Sequence, residues 1–358
     1  MPFGIYIHIP YCLSKCRYCD FHSCGGSSGV SDTYIDAVVR QLKKFAPAQP
    51  DTVYFGGGTP SLMRPSQLCK IMDAVQPLSS AEITLEANPE TLTLSKLQGF
   101  RSAGVNRLSI GVQTAFEDSL KTLGRPHTTT QSRNAFRMAH QAGFDNISGD
   151  IMLALPNYTT QEFDQTLALM QQEGASHISA YLLKIEPGTP FYRNPPANLP
   201  DEDSAADFYL YAVEQLAQAG YKQYEISNFS LPQKESKHNL LYWNCNDYLG
   251  IGPAAHSCMN NVRYAFGRDT QAFIQGTSPW ETTGTCTAQD YIMLQLRLNT
   301  GLDLNKLKEN FDVSFSPSQI SFLKQCQQHK LLHFKDNIIQ LTPEGMLIQN
   351  SILTELLL

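Results

Sequence analysis

The sequence predicts an α/β protein: a partial TIM-like (β/α)6 barrel followed by a smaller, mostly helical, winged-helix-like domain. Six short apolar or β-branched runs alternate with helix-like stretches over the first two-thirds of the chain. Such alternation is typical of βαβ units with a parallel sheet. Beyond about residue 263 the pattern changes to helices, followed by two short strand-like runs and a final helix. This change indicates the second domain.

The strands and helices of the barrel follow from local patterns in chain order. Strands are predicted at 4–10, 52–55, 83–87, 107–112, 146–153 and 177–183. Helices with apolar residues at helical spacing are predicted at 31–45, 65–75, 94–103, 129–142 and 161–173. The first helix begins with Ser31, a residue type favoured at an N-cap. In such barrels the site lies at the carboxyl ends of the strands.

Three domains are predicted, with limits at 1–225, 226–262 and 263–358. The first is the core barrel, and the second is a connecting segment that carries an aromatic motif. The third has helices at 288–296, 303–311 and 317–329, strands at 331–334 and 338–341, and a last helix from Thr342. Ser316 and Pro317 fit the N-cap and first helical position of its third helix.

Composition excludes several classes of function. The 358 residues are 42% hydrophobic and 17% charged, which suits a globular protein with a sizeable core. The net charge of −6 argues against a nucleic-acid partner. No apolar run approaches the roughly 20 residues needed to span a bilayer, and the N-terminus has a strand pattern rather than that of a signal peptide. We therefore expect a cytoplasmic protein without a transmembrane segment.

Three of the nine cysteines form a C-x3-C-x2-C pattern directly after the first predicted strand: Cys12, Cys16 and Cys19. Most [4Fe–4S] clusters use four thiolates, so three would leave one iron open to a small chelating molecule. A zinc site is the alternative, with His8 or His22 as its fourth ligand. The scattered thiols are expected to be ordinary buried small residues: Cys69, Cys245, Cys258, Cys286 and Cys326.

Further candidates follow later strands. The run FGGGTPS at 55–61 contains three glycines, which allow the backbone to lie close to a bound ligand. Glu86 and Asp150 are carboxylates suited to ribose hydroxyls, Gln113 can donate and accept, and Arg125 can pair with a carboxylate. Each alone is more often a loop or cap residue, but their recurrence at successive strand ends favours a site.

An aromatic motif, HNLLYW, begins at His238 and is followed by YLGIG at 248–252. A histidine beside flat aromatic rings can offer an axial ligand and a stacking wall to a haem. From chemistry alone, the favoured interpretation is a packed aromatic cluster with a hydrogen-bonded histidine.

Together these motifs resemble the radical SAM superfamily, whose members bind S-adenosylmethionine (SAM) at a [4Fe–4S] cluster. Within it, the chain is similar to the branch of oxygen-independent coproporphyrinogen III oxidases, and closest to the haem chaperones of that branch. The resemblance runs from about residue 2 to the C-terminal LTPEG segment. It is carried by IYIHIPYCLSKCRYCDF, GGGTPS, GVNRLSIGVQ, LGRPH, IEPGTPF, YEISNF, HNLLYW and YLGIG.

The resemblance implies a role for each candidate residue. Cys12, Cys16 and Cys19 would ligate the cluster, and His238 would ligate haem. The residues implied in SAM binding are Tyr6, Gly57, Gly58, Thr59, Glu86, Gln113, Arg125, Asp150 and Lys184, the last through its backbone.

The function implied is a haem chaperone that carries a [4Fe–4S] cluster, SAM and haem. Its expected partners are haem-accepting membrane proteins of the respiratory chain and an electron donor such as a flavodoxin, with transient membrane association. The alternative is a radical SAM decarboxylase that converts coproporphyrinogen III to protoporphyrinogen IX. Whether SAM is cleaved stays open.

Two features favour the chaperone over the oxidase. Phe21 stands where the oxidase pattern has a further cysteine, and only eleven residues precede Cys12. The chain departs from its branch at two points. Residues 154–157 read Ala-Leu-Pro-Asn where Gly-Leu-Pro-Gly is usual, and Pro253 replaces a small residue after YLGIG.

Overall fold

Six parallel strands form the centre of the fold in the computed structural model, which describes residues 2–357. They are β1 (Phe3–Ile9), β2 (Thr52–Gly57), β3 (Glu82–Ala87), β4 (Arg107–Gln113), β5 (Ile147–Leu153) and β6 (His177–Leu182). Each pairs in parallel with the next along the chain. The predicted partial (β/α)6 barrel is therefore confirmed.

Further strands extend this sheet at both edges. They are β7 (Lys222–Glu225), β8 (Asn228–Ser230), β9 (Asp247–Ile251), β10 (His256–Met259), β11 (Val262–Phe266) and β12 (Trp280–Thr285). The order is β12-β11-β10-β9-β1-β2-β3-β4-β5-β6-β8-β7. Since β12 and β7 lie at opposite edges of this order, the barrel is open between them.

The extended sheet differs from the domain division expected from sequence. Residues 263–285 continue the large sheet, whereas the third predicted domain, the winged-helix-like one, was expected to begin at 263. The cause is local. Asn260 and Asn261 have φ of 51° and 65°, so they form a tight turn that folds β11 back against β10. Residues 1 and 358, the outer limits of the predicted domains, lie outside the described residues.

Helices cover the barrel. They are α1 (Asp32–Phe45), α2 (Pro65–Val75), α3 (Leu94–Ser102), α4 (Glu117–Leu123), α5 (Thr129–Gln141), α6 (Thr160–Gln172), α7 (Pro190–Arg193) and α8 (Glu202–Gln218). Helix α1 begins as predicted, because the Ser31 hydroxyl accepts a hydrogen bond from the Tyr34 amide. Among residues 2–357 no helix has the length and apolar character needed to cross a membrane.

A second hydrophobic core organises the C-terminal region. After α9 (Lys237–Trp243) and α10 (Thr270–Gln275), its elements are α11 (Ala288–Gln295), β13 (Leu302–Asp303), α12 (Leu304–Phe311), α13 (Pro317–Gln328), β14 (Leu332–Lys335), β15 (Ile338–Leu341), α14 (Pro343–Leu347) and α15 (Gln349–Leu357). Three helices followed by a hairpin match the predicted order. Arg297 joins the two cores, donating at 2.7 Å to Glu225, which is fully buried on β7.

Candidate functional site

The cysteine loop leaves β1 and is fixed by backbone hydrogen bonds. The Cys12 amide donates to the Cys24 carbonyl at 2.9 Å, and the Cys24 amide donates to the Pro10 carbonyl at 2.8 Å. This pairing folds the intervening segment so that Cys12, Cys16 and Cys19 line one cavity, the first cavity. Burial raises the pKa of the Cys19 thiol to about 11. Metal binding there would therefore release a proton.

The donor set suits a cluster better than a single ion. Within residues 2–357, no three Cys, His, Asp or Glu side chains converge tightly enough to hold one metal ion. A [4Fe–4S] cube binds each thiolate on a different iron, so its ligands need only face one cavity. His8, a candidate fourth ligand for zinc, is already engaged. Its ring nitrogens lie 3.0 Å from the Tyr6 hydroxyl and 2.8 Å from the His22 carbonyl oxygen.

The glycine run packs against the cysteine loop at the end of β2. Gly57 has a φ of 110°, and a Cβ there would lie 2.5 Å from the His8 ring. A Cβ on Gly58 would lie 3.0 Å from the Cys12 sulfur. The Thr59 hydroxyl donates to that same sulfur at 3.5 Å. These residues therefore set the position of Cys12, and only small side chains fit at 57 and 58.

Two carboxylates lie on the floor of the first cavity. Glu86 accepts from the Tyr54 hydroxyl at 2.8 Å and from the Gly57 amide at 3.2 Å. Burial raises the pKa of Glu86 to about 7, although both hydrogen bonds oppose the shift. Burial also raises the pKa of Asp150, which accepts from the Ser109 hydroxyl at 2.9 Å. A cationic or hydroxyl-bearing ligand would favour the ionised form of both.

Arg125 links the polar wall to the cysteine loop. Its guanidinium donates to the Asn88 side chain at 2.8 Å, to the Gly111 carbonyl at 2.7 Å and to the Cys16 sulfur at 3.5 Å. Its buried Nε has no partner among the described residues. An unpaired donor of this kind suits a ligand carboxylate or cluster sulfide. Gln113, also in this wall, has a left-handed φ of 69°, a strained conformation typical of binding sites.

The first cavity has a volume of about 380 Å³, within the range of small-molecule sites. It brings together eleven of the residues expected from sequence: Cys12, Cys16, Cys19, Gly57, Gly58, Thr59, Glu86, Gln113, Arg125, Asp150 and Lys184. The Lys184 side chain pairs with Glu186 at 2.8 Å, and Glu186 lines the same cavity. The cavity is also lined by residues that were not expected from the sequence, among them Tyr54, Asn88 and Arg107. Asn88, in LEANPE two residues after Glu86, had the signal of a polar strand end.

Tyr6 and His238 lie outside this lining. Tyr6 faces a second cavity, of about 600 Å³. His238 is 1% exposed and lines neither cavity. Its Nδ1 lies 2.6 Å from the Thr52 hydroxyl and its Nε2 lies 2.7 Å from the Tyr242 hydroxyl. Burial lowers the pKa of His238 to about 3, so the ring is neutral.

The second cavity adjoins the first, and the two share Asp20, Phe21, Gly57 and Glu86. Its aromatic wall includes Tyr242, Trp243 and Tyr248, and Arg263 and Arg268 add positive charge. Helix α9 contributes to both cavities, through Asn239 to the first and through Tyr242 and Trp243 to the second.

Three cysteines distant in sequence also line the second cavity: Cys245, Cys258 and Cys286. A hydrogen bond from the Cys245 thiol lowers the pKa of Cys286 to about 7, with a smaller contribution from Arg263. From sequence these cysteines were expected to be ordinary buried small residues, unrelated to one another. Spacing alone could not have shown that they meet.

Comparison with known proteins gives consistent matches. A family model described as the radical SAM superfamily matches residues 6–170, and one described as the HemN C-terminal domain matches 288–348. The chain is 34% identical to a protein of Bacillus subtilis named heme chaperone HemW, over 97% of each chain. It is also 34% identical to the Escherichia coli protein of that name, over 98% of this chain and 97% of the relative.

Among solved structures, coproporphyrinogen III oxidase (HemN) of Escherichia coli, a radical SAM enzyme, matches with a TM-score of 0.83. The match covers 99% of this chain and 90% of that chain at 21% identity. At this identity the likeness shows the shared fold.

Proposed function

The chain belongs to the HemW family of radical SAM proteins, and from this premise we propose that it is a haem chaperone. It binds a [4Fe–4S] cluster, SAM and haem, and it passes haem to membrane-bound haem proteins. The observation that carries the proposal is the pair of adjoining cavities. One is lined by the cysteine triad, the other is aromatic, and the HNLLYW helix α9 contributes to both.

In the first cavity, Cys12, Cys16 and Cys19 hold the cluster. When bound, the cluster offers an open iron for chelation and a source of single electrons. Gly57 and Gly58 let a ligand approach the backbone beside it. These assignments are supported by the shared cavity and by the close packing of the glycine run on Cys12.

The polar wall of the first cavity orients SAM. Arg125 donates from its unpaired Nε to the carboxylate of SAM. Glu86 and Asp150 accept hydrogen bonds from the amine and the ribose hydroxyls of SAM. Gln113 and Thr59 add donors and acceptors beside them, and Lys184 contributes its backbone. The ionised form of Glu86 is favoured once a cationic ligand is bound, so binding expels a proton to solvent.

The second cavity holds haem. Its volume of about 600 Å³ is suited to a large planar ligand, and the rings of Tyr242, Trp243 and Tyr248 give it flat apolar surface. Arg263 and Arg268 supply positive charge for carboxylates at the rim of a porphyrin. Tyr6 and Phe21 also line this cavity, and Phe21 is one of the residues that it shares with the first cavity.

We assign His238 a positioning role. A hydrogen bond between its Nε2 and the Tyr242 hydroxyl holds that hydroxyl in place, and a hydrogen bond between its Nδ1 and the Thr52 hydroxyl fixes the ring. Ligation of haem iron by His238 would require one of these buried hydrogen bonds to break. Direct ligation by His238 stays a prediction, which the variants below test.

The recipients of haem are membrane haem proteins of the respiratory chain, and a flavodoxin-like electron donor reduces the cluster. The chaperone acts in the cytoplasm and associates with the membrane only transiently. The name heme chaperone given to the relatives supports haem as the molecule that is delivered. A transfer assay tests it by measuring the haem that reaches membrane fractions from haem-loaded chaperone, and haem that arrives equally without the chaperone would contradict it.

Haem titration of the anaerobically reconstituted protein tests the central proposal. We expect stoichiometric haem binding, and no protoporphyrinogen when the same sample receives SAM, reductant and coproporphyrinogen III. Turnover of coproporphyrinogen III without haem binding would overturn the proposal in favour of the decarboxylase.

Two variants distinguish the possible roles of His238. Tyr242→Phe removes the same hydrogen bond as His238→Ala but keeps the imidazole. If His238 positions Tyr242, both variants weaken haem binding to a similar extent and leave the iron spectrum unchanged. If only His238→Ala changes the spectrum, His238 is the iron ligand.

A further inference from the structure

A buried chain of hydrogen bonds runs from Asp150 in the first cavity to the N-terminus of α9. The Ser148 hydroxyl lies 3.4 Å from a carboxylate oxygen of Asp150 and 2.7 Å from Nδ1 of His177. The other ring nitrogen of His177 lies 2.9 Å from the Tyr224 hydroxyl, and the Ser236 amide donates to that hydroxyl at 3.2 Å. Ser148, His177 and Ser236 are fully buried, so solvent does not interrupt the chain.

The far end of this chain is the N-cap of the helix that contributes to both cavities. The Ser236 side chain accepts a hydrogen bond from the Asn239 amide in the first turn of α9. Asn239 lines the first cavity, and one turn later Tyr242 and Trp243 line the second. Because α9 has only seven residues, its capped first turn sets the direction of the whole helix.

The hydrogens of the chain have two possible directions. Burial lowers the pKa of His177 well below its usual value, so the ring is neutral and one of its nitrogens carries a proton. With the proton on Nδ1, His177 donates to Ser148, which donates to Asp150. The Tyr224 hydroxyl then donates to Nε2, and every donor has an acceptor.

The opposite direction leaves a donor unsatisfied. With the proton on Nε2, His177 donates to the Tyr224 oxygen, and Ser148 donates to His177 instead of Asp150. The Tyr224 hydroxyl then has no acceptor in the part of the chain from residue 2 to 357, and its oxygen is shared between His177 and the Ser236 amide. The satisfied direction therefore depends on Asp150 as the terminal acceptor.

We propose that His177 is a positioning residue that couples SAM binding in the first cavity to haem binding in the second. This inference rests on the proposed function, because it needs both ligands. A ribose that donates to Asp150 favours the ionised carboxylate, which accepts from Ser148 and so keeps the proton of His177 on Nδ1.

The consequence reaches the haem cavity through the helix cap. The Tyr224 oxygen then accepts from the Ser236 amide alone, and the first turn of α9 keeps the orientation that places Tyr242 and Trp243 in the wall of the second cavity. SAM therefore raises the affinity for haem. By thermodynamic linkage, haem raises the affinity for SAM by the same factor.

The test measures haem affinity with and without saturating SAM, on anaerobically reconstituted protein without reductant. Tyr224→Phe and Ser148→Ala each remove one hydroxyl from the chain. Tyr221→Phe is the matched control, since its buried hydroxyl donates to the Ala175 carbonyl at 2.7 Å, outside the chain. We expect SAM to raise haem affinity about fivefold or more in wild type and in Tyr221→Phe, and to leave it unchanged in the other two variants.

The ratio of the two affinities separates coupling from a merely structural role. A structural role would lower haem affinity in Tyr224→Phe and Ser148→Ala by the same factor with and without SAM, and that result would overturn the proposal. Equal haem affinities with and without SAM in wild type would overturn the coupling and leave the proposed function intact. A wild type that binds no haem would overturn the proposed function itself.

A second measurement needs no variant that breaks the chain. Nitrogen NMR of histidine-labelled wild-type protein reports which ring nitrogen of His177 carries the proton. With SAM bound we expect the proton on Nδ1, and a proton on Nε2 would overturn the proposal.

Discussion

Replacing Gly58 with alanine should prevent most of the cluster binding while the protein still folds. A Cβ at this position would lie 2.7 Å from the Tyr11 carbonyl oxygen, 2.9 Å from the Ile9 carbonyl oxygen and 3.0 Å from the Cys12 sulfur. Two of these atoms are backbone, so relief requires the cysteine loop to move away from β2. Overpacking of this kind costs about 1–3 kcal/mol. A domain of this size tolerates that loss, but the displaced Cys12 no longer meets its iron.

The assay is iron and sulfide per chain after anaerobic reconstitution, with denaturant unfolding of the cluster-free protein alongside. We expect Gly58→Ala to fold, to be moderately destabilised and to lose most of its cluster. Gly29→Ala is the matched control, since no atom lies within 4 Å of a Cβ there and its φ is not positive. Full iron and sulfide in Gly58→Ala, with wild-type stability, would refute the reasoning.

Three further predictions concern stability. Because the pKa of Glu86 is raised from 4.5 to about 7, the folded chain holds this proton more tightly than the unfolded chain. Stability of the ligand-free protein should therefore fall by up to about 3 kcal/mol as pH rises across that range, and Glu86→Gln should flatten the slope in denaturant unfolding. Ala154 has a φ of 57°, so Ala154→Gly should raise stability by up to about 1 kcal/mol; a lower midpoint of unfolding would contradict this. Arg297→Met leaves buried Glu225 unpaired and should cost about 3–5 kcal/mol by the same measurement, whereas a neutral result would show that the pair contributes little.

The parallel core and the first cavity were predictable because the chemistry there is local in sequence. Each candidate polar residue follows its own strand, and parallel strands carry their carboxyl ends to one edge. The structure also shows why glycine suits the two positions at which the chain departs from its branch, 154 and 157. Ala154 and Asn157 both have left-handed φ, at 57° and 59°, where glycine is the usual residue of the family.

The second cavity was not predictable, since its walls come from strands paired across long separations. The group of Cys245, Cys258 and Cys286 depends on the return of β11 and β12 along the sheet edge, which no single-strand pattern reveals. His238 shows a related limit. Its motif is visible in sequence, but burial and two hydrogen bonds decide whether the ring faces a ligand.

Arg297 connects the C-terminal domain to the barrel, so the two domains are not independent units. Besides Glu225, its guanidinium lies 4.4 Å from the centre of the Trp243 ring, and the neighbouring Gln295 donates to the Trp243 carbonyl at 2.8 Å. Trp243 belongs to the wall of the second cavity. The C-terminal domain is thus a structural support of that wall. An exchange of this domain between relatives would succeed only if the partners of Arg297 and Gln295 were carried over with it.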